Sequence, residues 1–255
     1  MISTLIITKN EEMHLQRLID NVKNISNEII ILDSYSTDKT KEIALDNKCK
    51  FFQRTFDNFS NQRNYLLNNF NIKNEWILFI DGDELLTSDL IDEIKDTIDK
   101  TSFDCFFIKR RFIWKDKWIK RGYYPRWFLR LGKKNQIYCD NNPVNEHLLS
   151  KNNNVGYLKH DFLNQNLNEN THWFKKHLIY AEFEKDRYFS YEISKKRRIW
   201  NRLPLFFRPF ILIIYRFLIN LVFLDGLRAI EYHFYHSFIY KMIIDYKILK
   251  KIFNK

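Results

Sequence analysis

Glu75-Trp76-Ile77-Leu78-Phe79-Ile80-Asp81-Gly82-Asp83-Glu84-Leu85 is the stretch on which the fold turns. Its five consecutive apolar residues, Trp76 to Ile80, are too few for an ordinary helix and suit a strand buried on both faces. The run stops at Asp81-Gly82-Asp83-Glu84, three carboxylates in four residues around a glycine that permits a tight bend. A buried strand ending in acids puts negative charge at the carboxyl edge of a sheet, where α/β proteins hold ligands. Gathered carboxylates repel one another unless a cation sits among them, and hard oxygen donors suit Mg²⁺ or Mn²⁺. The same residues also suit a plain acidic turn before the next helix, with Ser88 as its cap.

Working outward, strand and helix alternate. Ser3–Thr8 is a short apolar strand, followed by a helix with Leu15, Leu18, Ile19 and Val22 on one face. Asn10 is placed to cap that helix, with Glu11 and Glu12 in its first turn. Residues 28–33 form a second buried strand that again ends on an acid, Asp33, before the turn Ser34–Asp38 and a helix over Lys39–Lys48. Lys50–Phe56 reads as a third strand, Phe59–Phe70 as a helix, and the helix after the acidic bend carries Leu90, Ile91, Ile94 and Ile98. This alternation predicts βαβ units and a mostly parallel sheet with helices on both faces. No Gly-x-Gly-x-x-Gly follows the first strand and no P-loop occurs, so the sheet edge offers acids instead of phosphate-binding glycines. Met1 leads straight into the first strand, with no basic segment and apolar core of signal-peptide length.

Four motifs in register carry a resemblance: Thr8-Lys9-Asn10-Glu11-Glu12, Asp33-Ser34-Tyr35-Ser36-Thr37-Asp38, Gln62-Arg63-Asn64 and Asp81-Gly82-Asp83-Glu84. In this order and spacing the chain resembles family 2 inverting glycosyltransferases, with greatest likeness to the bacterial lipooligosaccharide β-1,4-glucosyltransferase branch. The resemblance implies a GT-A (Rossmann-like) fold over residues 1–165, a nucleotide-sugar donor such as UDP-glucose, and Mg²⁺ or Mn²⁺. It implies that Asp33 holds the nucleobase or ribose beside Asn10 and Glu12. Arg63 and Asn64 would line the nucleotide pocket, Asp81 would face the ribose or a metal-bound water, and Asp83 would bind the metal.

Further along, aromatics and arginines interleave: Trp114, Trp118, Arg121, Tyr123, Tyr124, Arg126, Trp127 and Arg130. Such a stretch suits nucleic acid, or equally the apolar faces of sugars and the phosphates that arginine grips. The resemblance favours the second reading, with Arg126 and Arg130 meeting acceptor or phosphate and no nucleic-acid partner. The Gln-x-x-Arg-Trp of sugar-polymerising relatives is absent, because Tyr123 stands where its Gln would be, and addition of a single sugar is expected. Glu146-His147 resembles a Glu beside a His near the acceptor in related transferases. Glu146 is the candidate general base, His147 its partner or substitute, and Asp140 a further candidate.

Charge divides the chain. Residues 1–100 carry 12 Lys/Arg against 18 Asp/Glu, whereas residues 101–255 carry 30 against 13, for a total of +11. The second part therefore faces something anionic or presents a solvated basic face. Residues 166–255 read as a basic, aromatic helical extension. Lys195-Lys196-Arg197-Arg198 precedes an apolar run, Phe210–Leu224, that Pro209 and Arg208 shorten to 15 residues and Arg216 interrupts. A spanning helix wants about 20 apolar residues, so interfacial helices on an anionic membrane are expected. A second long helix is predicted over Leu227–Leu249. The extension also resembles the C-terminal parts of bacterial transferases acting on lipid-linked acceptors. Two histidine pairs, His172/His177 and His233/His236, read as structural. Three well-separated cysteines, with no Cys-x-x-Cys, indicate neither a disulfide framework nor a zinc site, which fits a reducing cytoplasm and a peripheral position on the inner membrane face. The competing functional classes are a metal-dependent nucleotidyl or phosphoryl enzyme and a non-catalytic basic membrane adaptor.

Overall fold

The computed structural model describes residues 1–140, 147–168, 170–190 and 195–254. These pack as two compact units, Met1–Ile113 with Tyr124–Leu167, and Trp114–Tyr123 with Asn168–Lys255. The excursion at Trp114–Tyr123, expected within the catalytic domain, thus joins the helical unit.

The first unit grows from β1 (Ile2–Thr8), whose apolar residues are buried on alternate faces. It pairs in parallel with β2 (Ser26–Asp33) on one side, and β2 pairs with β3 (Lys50–Gln53). On its other side β1 pairs in parallel with β4 (Trp76–Phe79), setting Leu5 opposite Phe79. Strand period sends neighbours to opposite faces. Leu78 and Ile80 join Leu15, Leu18, Ile19 and Val22 of α1 (Leu15–Val22). Ile77 and Phe79 join Leu66 of α3 (Phe59–Asn69). Two-sided burial explains the uninterrupted apolar run; each fully buried aliphatic side chain contributes about 1.5–3 kcal/mol.

Chain order then reverses direction across the sheet. α2 (Thr40–Asp46) follows β2; after β4 come β5 (Glu84–Leu86), α4 (Ser88–Ile98), β6 (Cys105–Trp114), a two-residue β7 (Lys117–Trp118), β8 (Trp127–Lys133), a hairpin of β9 (Ile137–Cys139) and β10 (Leu148–Ser150), and β11 (Val155–Gln165). The sheet runs β3-β2-β1-β4-β8-β6-β11-β5. β8 is antiparallel to both β4 and β6, β6 is parallel to β11, and β5 closes the edge antiparallel to β11. This is a GT-A-like fold, a mixed, mostly parallel sheet with helices.

Several local expectations shift. Asn10 does not cap α1, which starts at Leu15 with His14 at its N-cap and no acid in its first turn. Thr87, not Ser88, caps α4 by accepting from Leu90 N. β3 is shorter than the strand predicted over Lys50–Phe56.

In the second unit α5 (Asn170–Tyr188) packs on α9 (Tyr240–Phe253) through Ala181, Tyr240, Ile244 and Ile248. α6 (Lys195–Asn201) and α7 (Phe207–Leu218) precede a 3-10 turn, Val222–Asp225. The long helix predicted from Leu227 is α8 (Leu227–His233), then π turns at Phe234–Ile239, then α9. Arg208 and Asp245 form a buried ion pair that also accepts from Phe206 N at 2.8 Å. His233 Nε2 meets Arg121 O at 3.2 Å, and His236 Nδ1 meets the Tyr123 hydroxyl at 2.7 Å. His177 stacks on Trp173. Burial pushes His177 and His233 down to about 4, leaving both neutral near pH 7. Among the described residues, no helix is long and apolar enough to cross a membrane.

Candidate active site

β2 lies to one side of β1 and β4 to the other, so the chain switches direction between the carboxyl ends of β1 and β4. Open α/β sheets bind ligands in the crevice at such a switch point. Two loops wall it, and side chains lace them together. Lys9 Nζ donates to Ser34 O (2.8 Å) and Tyr35 O (2.5 Å). Asn10, at a φ of 56°, donates its N–H to Ser36 Oγ (2.8 Å) and accepts from Thr37 N (2.9 Å). Glu12 N donates to Asp38 Oδ2 (3.0 Å), and Glu12 Oε2 accepts from Lys39 N (3.1 Å). Asp33 is fully buried. It accepts from Thr8 Oγ1 (3.0 Å), Ser36 N (2.7 Å), Gln53 Nε2 (3.2 Å) and the Ser36 hydroxyl. Asn10, Glu12 and Asp33 thus come together as expected, but they shape the loop wall, and Asp33 faces the turn it organises.

Beside β1, the acids at the end of β4 separate into two kinds. Asp81 is gripped from both sides, Oδ1 by Arg63 Nη2 at 2.9 Å and Oδ2 by Arg130 Nη2 at 3.0 Å. Arg130 Nη2 also reaches Glu84 Oε1 at 2.7 Å, and Glu84 Oε2 accepts from Asp81 N at 3.0 Å. Burial alone would raise the Asp81 pKa, but Arg63 and Arg130 outweigh it and hold the carboxyl well below the usual range. Burial pushes Glu84 up to about 7 against the pull of Arg130, with Asp81 and Asp83 adding to the rise. Because Glu84 holds its proton more tightly folded than unfolded, its contribution to stability is full below about 4.5 and is lost as pH rises toward 7. We expect Glu84→Gln to flatten the stability profile between pH 5 and 7.5 in urea melts, within about that window; a slope equal to that of the parent chain would contradict it.

Asp83 is different. It is half-buried, and its Oδ1 accepts from the neutral amide of Asn164 at 3.0 Å. Its donor chemistry fits a hard divalent cation. Mg²⁺ and Mn²⁺ take one or two carboxylates and complete their shells with substrate phosphates and water. With Asp81 committed to two guanidinium groups, Asp83 is the β4-end carboxylate suited to that task. Among the described residues no cluster of three or more His, Cys, Asp or Glu could hold a metal unaided. Gly82 sits between them because a Cβ there would come within 2.9 Å of Glu11 Cδ. Glu11 in turn bonds His14 Nδ1 at 2.7 Å, and His14 Nε2 accepts from Leu167 N at 2.8 Å.

The remaining candidates take mixed places. Arg63 enters the knot through α3, whose Ser60 and Asn64 hold the β9 hairpin. Asn64 bonds both the N–H and the carbonyl of Cys139 (3.0 Å each), and the Ser60 hydroxyl donates to Asp140 O. Asn64 is therefore a latch on backbone rather than a free pocket wall. Asp140 N donates to His147 O at 2.9 Å and His147 N to Asp140 Oδ1 at 3.0 Å, closing the neck of the hairpin. Glu146 lies outside the described residues. Arg126 is exposed at the start of β8, its Cζ 5.2 Å from the Phe128 ring. Arg130, expected to meet acceptor or phosphate, is instead buried and engaged by Asp81 and Glu84. Period 2 along β8 puts it on the same face as Phe128.

Sequence reasoning missed Asn164 and a further buried acid, Asp161, which pairs with Arg111 Nε at 2.6 Å and Lys109 at 3.5 Å. Neither stands in a local motif; alternation along β11 was their only signal.

The profile of the family described as Glycosyl transferase family 2 matches residues 3–147. An uncharacterized glycosyltransferase of Rickettsia bellii is 44% identical over 94 residues, 37% of this chain and 31% of that protein. Glycosyltransferase SunS of Bacillus subtilis, derived from prophage SPbeta, is 35% identical over 109 residues, 39% of this chain and 25% of that one. The matched stretch thus spans about a third or less of these curated relatives. Among solved structures, S. aureus TarS 1-349 in complex with UDP aligns with a TM-score of 0.48 at 18% identity, over 99% of this chain and 91% of that one. Glucosyl-3-phosphoglycerate synthase of Mycobacterium tuberculosis, with Mn²⁺, UDP and glucosyl-3-phosphoglycerate, gives 0.37 at 18% identity, over 44% of this chain and 43% of that one. With the family profile spanning more than half of its length, the chain belongs to glycosyl transferase family 2.

Proposed function

We propose that this protein is an inverting hexosyltransferase that moves one hexose, glucose, from a UDP-type nucleotide-sugar to a hydroxyl of a lipid-linked glycan of the lipopolysaccharide or capsule kind. Residues 1–165 form the catalytic domain in this reading, and residues 166–255 bind the inner face of the cytoplasmic membrane. The observation that carries it is the division of labour at the end of β4, where two arginines grip the Asp81 carboxylate directly while Asp83 accepts from the neutral amide of Asn164.

The acceptor oxygen attacks the anomeric carbon, a new C–O bond forms, and the bond from that carbon to the diphosphate oxygen breaks with inversion. Glu146 takes the proton of the attacking hydroxyl, with His147 beside it at the hairpin neck. A divalent cation held by Asp83 would neutralise the charge growing on the leaving diphosphate. Arg63 and Arg130 hold the Asp81 carboxylate and Glu84 accepts from its backbone N–H, which together set the position of Asp83 one bend later. The laced loops at Lys9–Glu12 and Ser34–Asp38 supply a preset wall for the nucleoside, whose ordering then costs little at binding.

Glu146→Gln should keep nucleotide affinity within about twofold while lowering kcat about 10²–10⁴-fold; an unimpaired rate would move the base to another residue. Incubation with UDP-glucose and a truncated lipid-linked acceptor tests the reaction class. A new glycosidic product supports it, whereas release of free phosphate alone would assign a hydrolytic or nucleotidyl enzyme.

A further inference from the structure

From Phe207 to Leu227 the helical unit carries three charged residues, and all three are turned inward. Arg208 is buried against Asp245. Arg216 donates to Gly122 O (2.6 Å) and Asn220 Oδ1 (3.2 Å). The Asp225 carboxylate accepts from the backbone N–H groups of Lys120 (2.8 Å) and Arg121 (2.6 Å). What faces outward is apolar. Phe207 is 61% exposed, Ile214 54%, Leu218 67%, Leu224 57% and Leu227 83%. Phe207, Ile214 and Leu218 recur at seven and four residues, one stripe along α7. The turn Val222–Asp225 carries the apolar surface on past the end of α7.

This stripe is held in place. Phe206 and Leu221, at φ of 64° and 51°, bracket α7 with left-handed backbone that non-glycine residues adopt only when surroundings enforce it. The Asp245 bond to Phe206 N and the Arg216 bond to Gly122 O are those surroundings. Cations fringe the stripe in sequence: Arg198 and Arg202 precede it and Arg228 follows it, all exposed. The twelve residues of α7 are too short to cross a bilayer. A continuous apolar ridge without outward charge, flanked in sequence by Arg198, Arg202 and Arg228 (the last also reaching Glu231 Oε2 at 3.3 Å), matches a surface that is hydrocarbon within and anionic at its headgroups. A second copy of this chain would bring the same arginines against themselves.

We propose that α7 and the turn after it form the docking face for an anionic phospholipid bilayer, with Phe207, Ile214, Leu218, Leu224 and Leu227 entering the acyl boundary and Arg198, Arg202 and Arg228 meeting phosphates. The inference deepens the membrane partner named in the proposed function and rests on that part of it alone. The test is flotation of the full chain with vesicles of phosphatidylcholine alone or with about a third phosphatidylglycerol, in parallel with light scattering without lipid and with UDP binding. The parent chain should float with the anionic vesicles at least tenfold better than with the neutral ones. Ile214→Asp/Leu218→Asp should lose that binding at least tenfold while keeping UDP affinity. Ile179→Asp, an equally exposed position on α5 (59%), should retain it. Absence of parent binding to anionic vesicles would overturn the proposal. So would equal binding by the double variant, or a stable dimer in lipid-free buffer that the double variant splits. Loss of UDP affinity in the parent chain would strike the catalytic reading instead.

Discussion

Asp83→Ala is expected to lower glycosyl transfer by about a hundred- to a thousandfold while leaving the protein folded. The rate effect follows from removing the carboxylate that would hold charge opposite the leaving diphosphate; losing one such electrostatic group costs about 10²–10³ in kcat. The stability effect should be small. Asp83 is half-buried and trades one side-chain hydrogen bond, to Asn164 at 3.0 Å, so about 1 kcal/mol is at stake. Steady-state transfer assays and thermal melts on the same preparation separate the two. An Asp83→Ala enzyme with full activity would remove the metal from the mechanism.

Arg130→Met should do the opposite, damaging the fold first. It leaves Glu84, 1% exposed, without its cation and strips Asp81 of one of its two. Breaking one side of a buried pair costs about 3–5 kcal/mol, because the partners left behind lose their counter-charge and its hydrogen bonds. For a chain of this size that amounts to a fall in Tm of roughly 10 °C. Glu84, already raised to about 7 with Arg130 present, takes up a proton once Arg130 is gone, so the loss should be largest well above pH 7 and shrink as pH falls. A Tm within about 2 °C of the parent would mean the knot is not held as described. A functional arginine on the acceptor, the role expected for Arg130 in the sequence, would give normal melting and poor turnover.

That contrast marks what could and could not be read in the chain. The strands at Ile2–Thr8, Ser26–Asp33 and Trp76–Phe79 announce themselves because two-sided burial demands unbroken apolar runs. The acids at Asp33 and Asp81–Glu84 likewise mark the carboxyl edge of the sheet. Partnerships across the sheet carry no such signature. Asp81 and Arg130 are 49 residues apart and meet because β8 returns antiparallel beside β4. The sequence therefore identifies Arg130 as a cation but not as one facing inward. Asn10 reads in the sequence as the cap of the first helix, yet its side chain serves the neighbouring loop, since the chain needs residues 11–14 to reach α1. The aromatic run after Tyr232 reads as one long helix. Its π turns at Phe234–Ile239 leave the i, i+4 pattern nearly intact and so escape a periodicity argument.

The central claim is that a cation bound by Asp83 couples this chain to a nucleoside diphosphate at the crevice between β1 and β4. Titrating UDP calorimetrically into the full chain, with Mn²⁺ and then with excess EDTA, tests it most directly. Binding that needs Mn²⁺ in the parent chain and disappears in Asp83→Ala is the predicted result. Equal heats in Mn²⁺ and EDTA, or metal-dependent heat that survives Asp83→Ala, would contradict it.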